Sequence, residues 1–262
     1  MTGLMAALIG LGIILTVLTF VWMLSLRLRD ASVADIFWGL GVVMLAWLFC
    51  LLSPALTQRS WLVAALITIW GTRLSAHIFH RHYGNGEDPR YQAMRASHGR
   101  AFWWQSLLTV FWLQGAILWF VALPLLVAVR ATEPVALTPL DGLGVLLFSI
   151  GLGFEVVGDY QLERFRAEPG NRGHVLDSGL WRYTRHPNYF GDATMWWGVY
   201  AIAAATPSGW LTVLSPILMT WLLMRVSGVT LLEEGLKASK PGYRAYIART
   251  PAFFPWFPRV PR

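Results

Sequence analysis

The chain has 262 residues, of which 56% are hydrophobic and only 13% charged, with a formal net charge of +7. A soluble domain carries about 25% charged residues, so a large water-soluble core is excluded and an integral membrane protein is implied. A single cysteine, Cys50, excludes an intramolecular disulfide and a cysteine-based zinc site.

A membrane-crossing helix needs about 20 mostly apolar residues. Seven stretches are read as spans: 3–26, 36–54, 60–79, 102–129, 139–160, 192–206 and 208–226. The expected fold is an all-α integral membrane protein with seven transmembrane helices, one membrane domain over 1–262 and no Rossmann domain. The first stretch is too long for a signal-peptide core and has no basic residue before it. The fourth is long enough to tilt or to extend out of the bilayer. The sixth and seventh are short and joined by the turn sequence Thr206-Pro207-Ser208-Gly209, so they read either as two crossings or as one helical hairpin.

Basic residues set the orientation. Of the 21 Lys and Arg, 17 fall on one side of the membrane with this span assignment, in the segment after span 1, in 80–101, in 161–191 and in the tail 227–262. Only Arg59 and Arg130 fall on the other side, while Arg73 and Arg225 lie within spans. The N-terminus is therefore expected outside and the C-terminus in the cytoplasm. The alternation of charge with the spans also argues against a nucleic-acid partner.

Several motifs are ambiguous and take their plainer reading. Glycine pairs at Gly10/Gly12, Gly39/Gly41, Gly142/Gly144 and Gly151/Gly153 lie in apolar helical stretches. None makes a full dinucleotide fingerprint after a strand, so they read as close helix packing. The run His77-Ile78-Phe79-His80-Arg81-His82 suggests a metal, but a membrane di-iron site needs several such clusters and the chain has 6 His in all. No metal is expected. His80 and His82 read as part of a basic cytoplasmic rim.

The densest polar stretch is Gly179 to Asp192, which holds Arg182, Arg185, His186, Asn188, Tyr189 and Asp192 at the mouth of an apolar run. A basic loop would fix topology, but topology does not require Asn188 and Asp192 at a membrane boundary, so a bound polar ligand is expected. Carboxylates inside or at the start of spans carry the same implication. They are Asp35, Glu155, Asp159 and Asp192. Glu155 and Asp159 are four apart and share a helix face, so they need common cationic or hydrogen-bonding partners. Arg73 and His77 share a face of span 3, where Arg73 can pair with one of these carboxylates. The tail, with Tyr243, Tyr246, Arg244 and Arg249, reads either as an ordered segment lying on the membrane face or as an interfacial aromatic anchor.

Three motifs together resemble the bacterial branch of the steroid 5α-reductase family. They are Arg185-His186-Pro187-Asn188-Tyr189-Phe190-Gly191-Asp192, the tail from Pro241-Gly242-Tyr243 to Pro255, and the loop from His82-Tyr83-Gly84 to Tyr91-Gln92. The resemblance covers nearly the whole chain. It implies an NADPH-dependent reductase of a Δ4-3-keto steroid or similar lipophilic enone, in a bacterial inner membrane with the cofactor side cytoplasmic. By the family pattern Asn188 and Asp192 hold the cofactor, with Asp159, Arg166 and Arg90. Arg185, His186, Tyr189, Tyr243 and Tyr246 complete the implied cofactor set. Glu155 stands where the pattern has asparagine. Asp35 is the counterpart of the family glutamate that holds the substrate carbonyl. Ile78 falls where the partner tyrosine should be, so Tyr83 or Tyr91 is expected to stand in, and Tyr91 is taken with Asp35 as the catalytic pair.

The chemistry fits these residues. Hydride addition to the β-carbon of an enone builds negative charge on the carbonyl oxygen, and a donor aimed there lowers the barrier. Asp35, flanked by Ile36, Phe37 and Trp38, is expected to stay protonated in apolar surroundings and to donate. Arginines suit the phosphates of NADPH. Two alternatives share parts of the pattern: an S-adenosylmethionine-dependent methyltransferase of the isoprenylcysteine type, and a non-catalytic sterol-binding relative.

Overall fold

Every ordered element of the structure, a computed structural model describing residues 1–226 and 229–259, is helical. Residues 227, 228 and 260–262 of the expected cytoplasmic tail, including its last arginine, lie outside the described residues. Among the described residues, six helical stretches are long and apolar enough to cross a membrane: Gly3–Leu28, Val33–Leu51, Gln58–His82, Pro89–Arg130, Pro139–Ala167 and Gly209–Val226. The stretch expected as span 6 lies in a helix over Pro187–Ala204 that is not among these six.

The helices group into two compact units, Met1–Thr138 with Ile202–Thr212, and Pro139–Ala201 with Val213–Arg262. In the first unit, α1 (Gly3–Leu28) starts where the Thr2 hydroxyl accepts from the Met5 N–H at 3.2 Å. It ends at Arg29, whose φ of 55° closes the helix with an N–H to the Ser25 carbonyl. α2 (Val33–Leu51) follows after a short turn. α3 (Gln58–His82) opens on a reciprocal cap between Thr57 and Ser60.

α2 and α3 cross at Gly39 and Gly71. A β-carbon added at Gly39 would stand 2.3 Å from the Gly71 carbonyl oxygen, and one at Gly71 would stand 2.6 Å from that of Gly39. Only hydrogen fits at either position, and the close approach replaces side-chain packing by backbone contact. Gly71→Leu is expected to abolish the folded, monodisperse form, which fluorescence-detected size exclusion in detergent measures directly.

The segment 80–101, expected as a polar loop, is largely helical. α3 runs on to His82, and α4 (Pro89–His98) begins after six intervening residues. The reason is local: the Asp88 carboxylate accepts from the Arg90 N–H at 2.9 Å, and Pro89 takes the first helical position. α5 (Phe102–Ser106), a π-helical turn Leu107–Trp112, α6 (Leu113–Val121) and α7 (Leu123–Arg130) carry the chain through the fourth stretch.

The second unit is built on α8 (Pro139–Ala167) and α9 (Pro187–Ala204). They touch at Gly151 and Gly191, where an added β-carbon on either would lie 2.4 Å from the other's carbonyl oxygen. Of the glycine pairs expected at helix contacts, Gly10, Gly39, Gly41 and Gly151 do face neighbours, whereas Gly12, Gly142 and Gly153 face open space. Residues spaced by two point to nearly opposite sides of a helix, so both members of a pair make contact only where the helix is packed on two sides, as in α2, where Gly39 meets Gly71 and Gly41 meets Ile14 and Leu118. α10 (Leu214–Trp221), α11 (Val229–Ser239) and α12 (Tyr243–Arg249) complete the chain.

Candidate functional site

In the first unit, α2 and α4 bring Asp35, Arg90 and Tyr91 together. The Tyr91 hydroxyl donates to Asp35 Oδ1 at 2.6 Å, and Arg90 Nη2 donates to Asp35 Oδ2 at 2.7 Å. Gln114, on α6, donates through Nε2 to the Tyr91 oxygen at 3.0 Å and to Asp35 Oδ1 at 3.3 Å. Tyr91 is buried. Tyr91, Arg90 and Gln114 all converge on the two oxygens of Asp35. The structure thus brings together Asp35 and Tyr91, the two residues expected as a catalytic pair. Tyr83 is exposed and takes no place in the cluster.

Arg90 is held from two sides. Its Nε and Nη2 also donate to Asp88 at 2.9 and 3.1 Å. Burial alone would raise the Asp88 carboxyl, but its hydrogen bonds from Arg90 outweigh that and hold it below the ordinary carboxylate value. The turn before α4 is tied back to α2: Ser32 Oγ accepts from the Asp88 N–H at 2.8 Å, and Glu87 accepts from the Ala31 N–H at 2.8 Å and from Arg95 at 2.7 Å. His82 Nε2 lies 2.6 Å from Asp30 Oδ2. A cavity of about 130 Å3 beside this turn is lined by Asp35, Ile78, His82 and Asp88.

In the second unit the polar residues lie along the seam of α8 and α9. Asp159 is buried and accepts from Asn188 Nδ2 at 3.1 Å. Glu155, also buried, has its backbone against α9 at Gly191. Asp192 is half-buried one turn beyond Asn188. Arg166 is exposed at the end of α8. Lys240, whose Nζ donates to the His174 carbonyl at 2.5 Å, is pushed below its ordinary value by burial first and by the positive charge of Arg166 second. Two cations are therefore held within each other's field.

Arg185 and His186 turn inward. Arg185 Nε donates to Glu233 Oε1 at 2.7 Å, and His186 Nε2 lies 3.2 Å from the same oxygen. Arg185 also donates to the carbonyls of Ile247 and Thr250. Thr184 Oγ1 donates to the Phe253 carbonyl at 2.8 Å, and the Trp256 N–H donates to the Tyr183 carbonyl at 2.9 Å. Tyr189 stacks on His186 with ring planes 2° apart. Tyr246 donates to the Trp181 carbonyl, and burial pushes the hydroxyls of Tyr243 and Tyr246 up. The tail is thus an ordered segment strapped to the stretch before α9.

Three contributors went unmarked in the sequence. Gln114 is one of two amides, with Gln105, in an apolar span, which is itself a signal. Asp88 precedes a proline, the pattern of a helix cap. Glu233 is one of two acids in a basic tail, and only the fold shows that it meets Arg185.

Residues 21–250 match the family described as "Protein of unknown function (DUF1295)". The chain belongs to the DUF1295 family. This family includes steroid 5α-reductase-like membrane proteins. Among curated proteins the chain is similar to an uncharacterized protein of Schizosaccharomyces pombe, 24% identical over 261 residues, with 89% of this chain and 75% of that protein covered. No solved structure matches the chain.

Proposed function

We propose that this chain is an NADPH-dependent membrane reductase that adds hydride across the double bond of a lipophilic enone, such as a Δ4-3-keto steroid. The observation that carries the reading is the Tyr91–Asp35 hydrogen bond of 2.6 Å, buttressed by Gln114 and Arg90. Tyr91 has a single hydroxyl hydrogen. In the resting arrangement it goes to Asp35. Rotation about the C–O bond redirects it to an enone carbonyl, while Asp35 keeps Arg90 and Gln114 as donors. A donor so placed stabilises the negative charge that grows on the carbonyl oxygen.

The second unit supports a phosphate-bearing cofactor by its chemistry. The charged form of Lys240 is disfavoured by burial first and by Arg166 second, and a phosphate between these two cations relieves their repulsion. Asn188, paired with Asp159, offers an amide for the cofactor's polar rim. Arg185 and His186 serve this reading indirectly, by bracing the start of α9. A bound NADPH supplies the hydride. In this reading the N-terminus faces outward and the cofactor side faces the cytoplasm, as the arginine distribution implies.

The test uses purified protein in detergent with progesterone and NADPH. NADPH consumption with a product heavier by two hydrogens is the expected result. Asn188→Ala should raise the NADPH dissociation constant at least about tenfold while the protein still elutes as wild type. No turnover, with S-adenosylmethionine bound instead, would overturn the reductase in favour of methyl transfer.

A further inference from the structure

A cavity of about 520 Å3 in the first unit lies between the start of α1, the end of α7 and the turn 206–208. It is remote from Asp35. α1 has 26 residues, so at 1.5 Å per residue its ends are about 39 Å apart. Asp35 follows the far end, whereas Gly3 and Leu4 line this cavity. The two sites therefore belong to opposite membrane surfaces.

Its lining divides by depth. Ala7 and Leu126 are buried and, with Val127, make an apolar floor, while Thr132, Glu133 and Ser208 are exposed at the rim. Arg130 stands at the same rim, half-buried and fixed: Nη2 donates to the Met1 carbonyl at 2.8 Å and Nη1 to the Leu52 carbonyl. A guanidinium carries more N–H donors than these two carbonyls occupy. The first turn of α1 adds the positive end of a long helix beside it. An anion is favoured on that side. Glu133 supplies the opposite charge and forms no ion pair among the described residues.

From a fixed cation, an opposed carboxylate and an apolar floor, we infer that this cavity binds a zwitterionic aminophospholipid. The phosphate is taken by Arg130 and the start of α1, the primary ammonium by Glu133, and the proximal acyl chain by the floor. A primary ammonium donates hydrogen bonds to a carboxylate, which a quaternary one cannot do. A volume of this size suits a headgroup with its glycerol and the first part of a chain. The site is independent of the reductase reading.

Native mass spectrometry of the full chain in detergent tests it, with dioleoyl phosphatidylethanolamine, phosphatidylcholine and phosphatidylglycerol offered in turn. The wild type is expected to retain phosphatidylethanolamine at least about tenfold more tightly than the other two. Glu133→Lys, an exposed change that leaves the helices intact, should reverse the order in favour of phosphatidylglycerol. Ser208→Trp should lose retention of all three by filling the cavity. Free phosphoethanolamine at equal concentration should not displace the lipid, and displacement would overturn the chain-binding part of the assignment. No lipid retained by the wild type, or the same headgroup order in wild type and Glu133→Lys, would overturn the site.

Discussion

Tyr91→Phe is expected to lower kcat for enone reduction by about 10²–10³-fold, the usual effect of removing one donor to a developing oxyanion. The change removes the hydroxyl and nothing else. Asp35 keeps Arg90 Nη2 at 2.7 Å and Gln114 Nε2 at 3.3 Å, so the carboxylate is not stranded. Gln114 loses the acceptor it has in the tyrosine oxygen, which costs about 1–2 kcal/mol of stability. That loss is small enough for the variant to fold, and a melting curve in detergent checks it. NADPH affinity should not change, because the reading places the phosphates on other residues.

The split between kcat and cofactor affinity is the decisive readout. A Tyr91→Phe protein with wild-type turnover removes the tyrosine from the carbonyl site. A loss of NADPH binding with turnover per bound cofactor unchanged moves Tyr91 into the cofactor site. Asp35→Asn gives a second view. Asparagine presents one acceptor oxygen and one NH2 group, and the NH2 group must face either Tyr91 or Arg90, both donors in the present arrangement. Misdirection of the tyrosine hydroxyl then lowers kcat with the tyrosine still present.

What could be read from the sequence follows the range of the forces involved. Apolar length marked the crossings, because the bilayer sets a minimum span, and all six apolar stretches overlap an expected one. Asp35 stood out because a carboxylate at the start of an apolar helix is costly without partners. Its partners did not stand out. Tyr91 comes from a segment read as loop, which the Asp88 cap and Pro89 turn into a helix that aims consecutive residues at Asp35. Gln114 reaches the cluster across 79 positions of sequence, and no local pattern encodes such a contact. The polar run before α9 shows the same limit. Its density suggested a ligand, yet Arg185 and His186 meet Glu233, which lies 47 to 48 positions away on α11. A charge cluster in sequence does not reveal whether its counter-charge is a ligand or another part of the chain.

Glu233→Ala should destabilise the second unit by about 3–5 kcal/mol, a large share of a domain's total, because it leaves a buried guanidinium without its counter-ion. Arg185, His186 and Glu233 are all buried. Removing the carboxylate leaves the Arg185 guanidinium with neutral acceptors, the carbonyls of Ile247 and Thr250 and the Tyr243 hydroxyl, and no counter-ion. Glu233→Gln keeps an acceptor oxygen and should cost less. The same contact predicts a pH dependence. Burial would raise the Glu233 carboxyl, but hydrogen bonds from His186 and Arg185, with their positive charges, outweigh it and bring the pKa from 4.5 down to about 2. A carboxyl depressed in the folded state binds its proton more readily when unfolded, so its contribution is complete above the ordinary value. It is lost as pH falls from 4.5 through about 2. Other carboxylates titrate in that window, so the measurement is a difference: melting temperature against pH for wild type and for Glu233→Gln. The two curves should lie apart at neutral pH and converge as the pH approaches 2. Parallel curves over the whole range would show that the ionisation of Glu233 contributes nothing to folding, and the strap of the tail would then rest on its other bonds, those of Thr184, of Arg185 to the Ile247 and Thr250 carbonyls and of Tyr246.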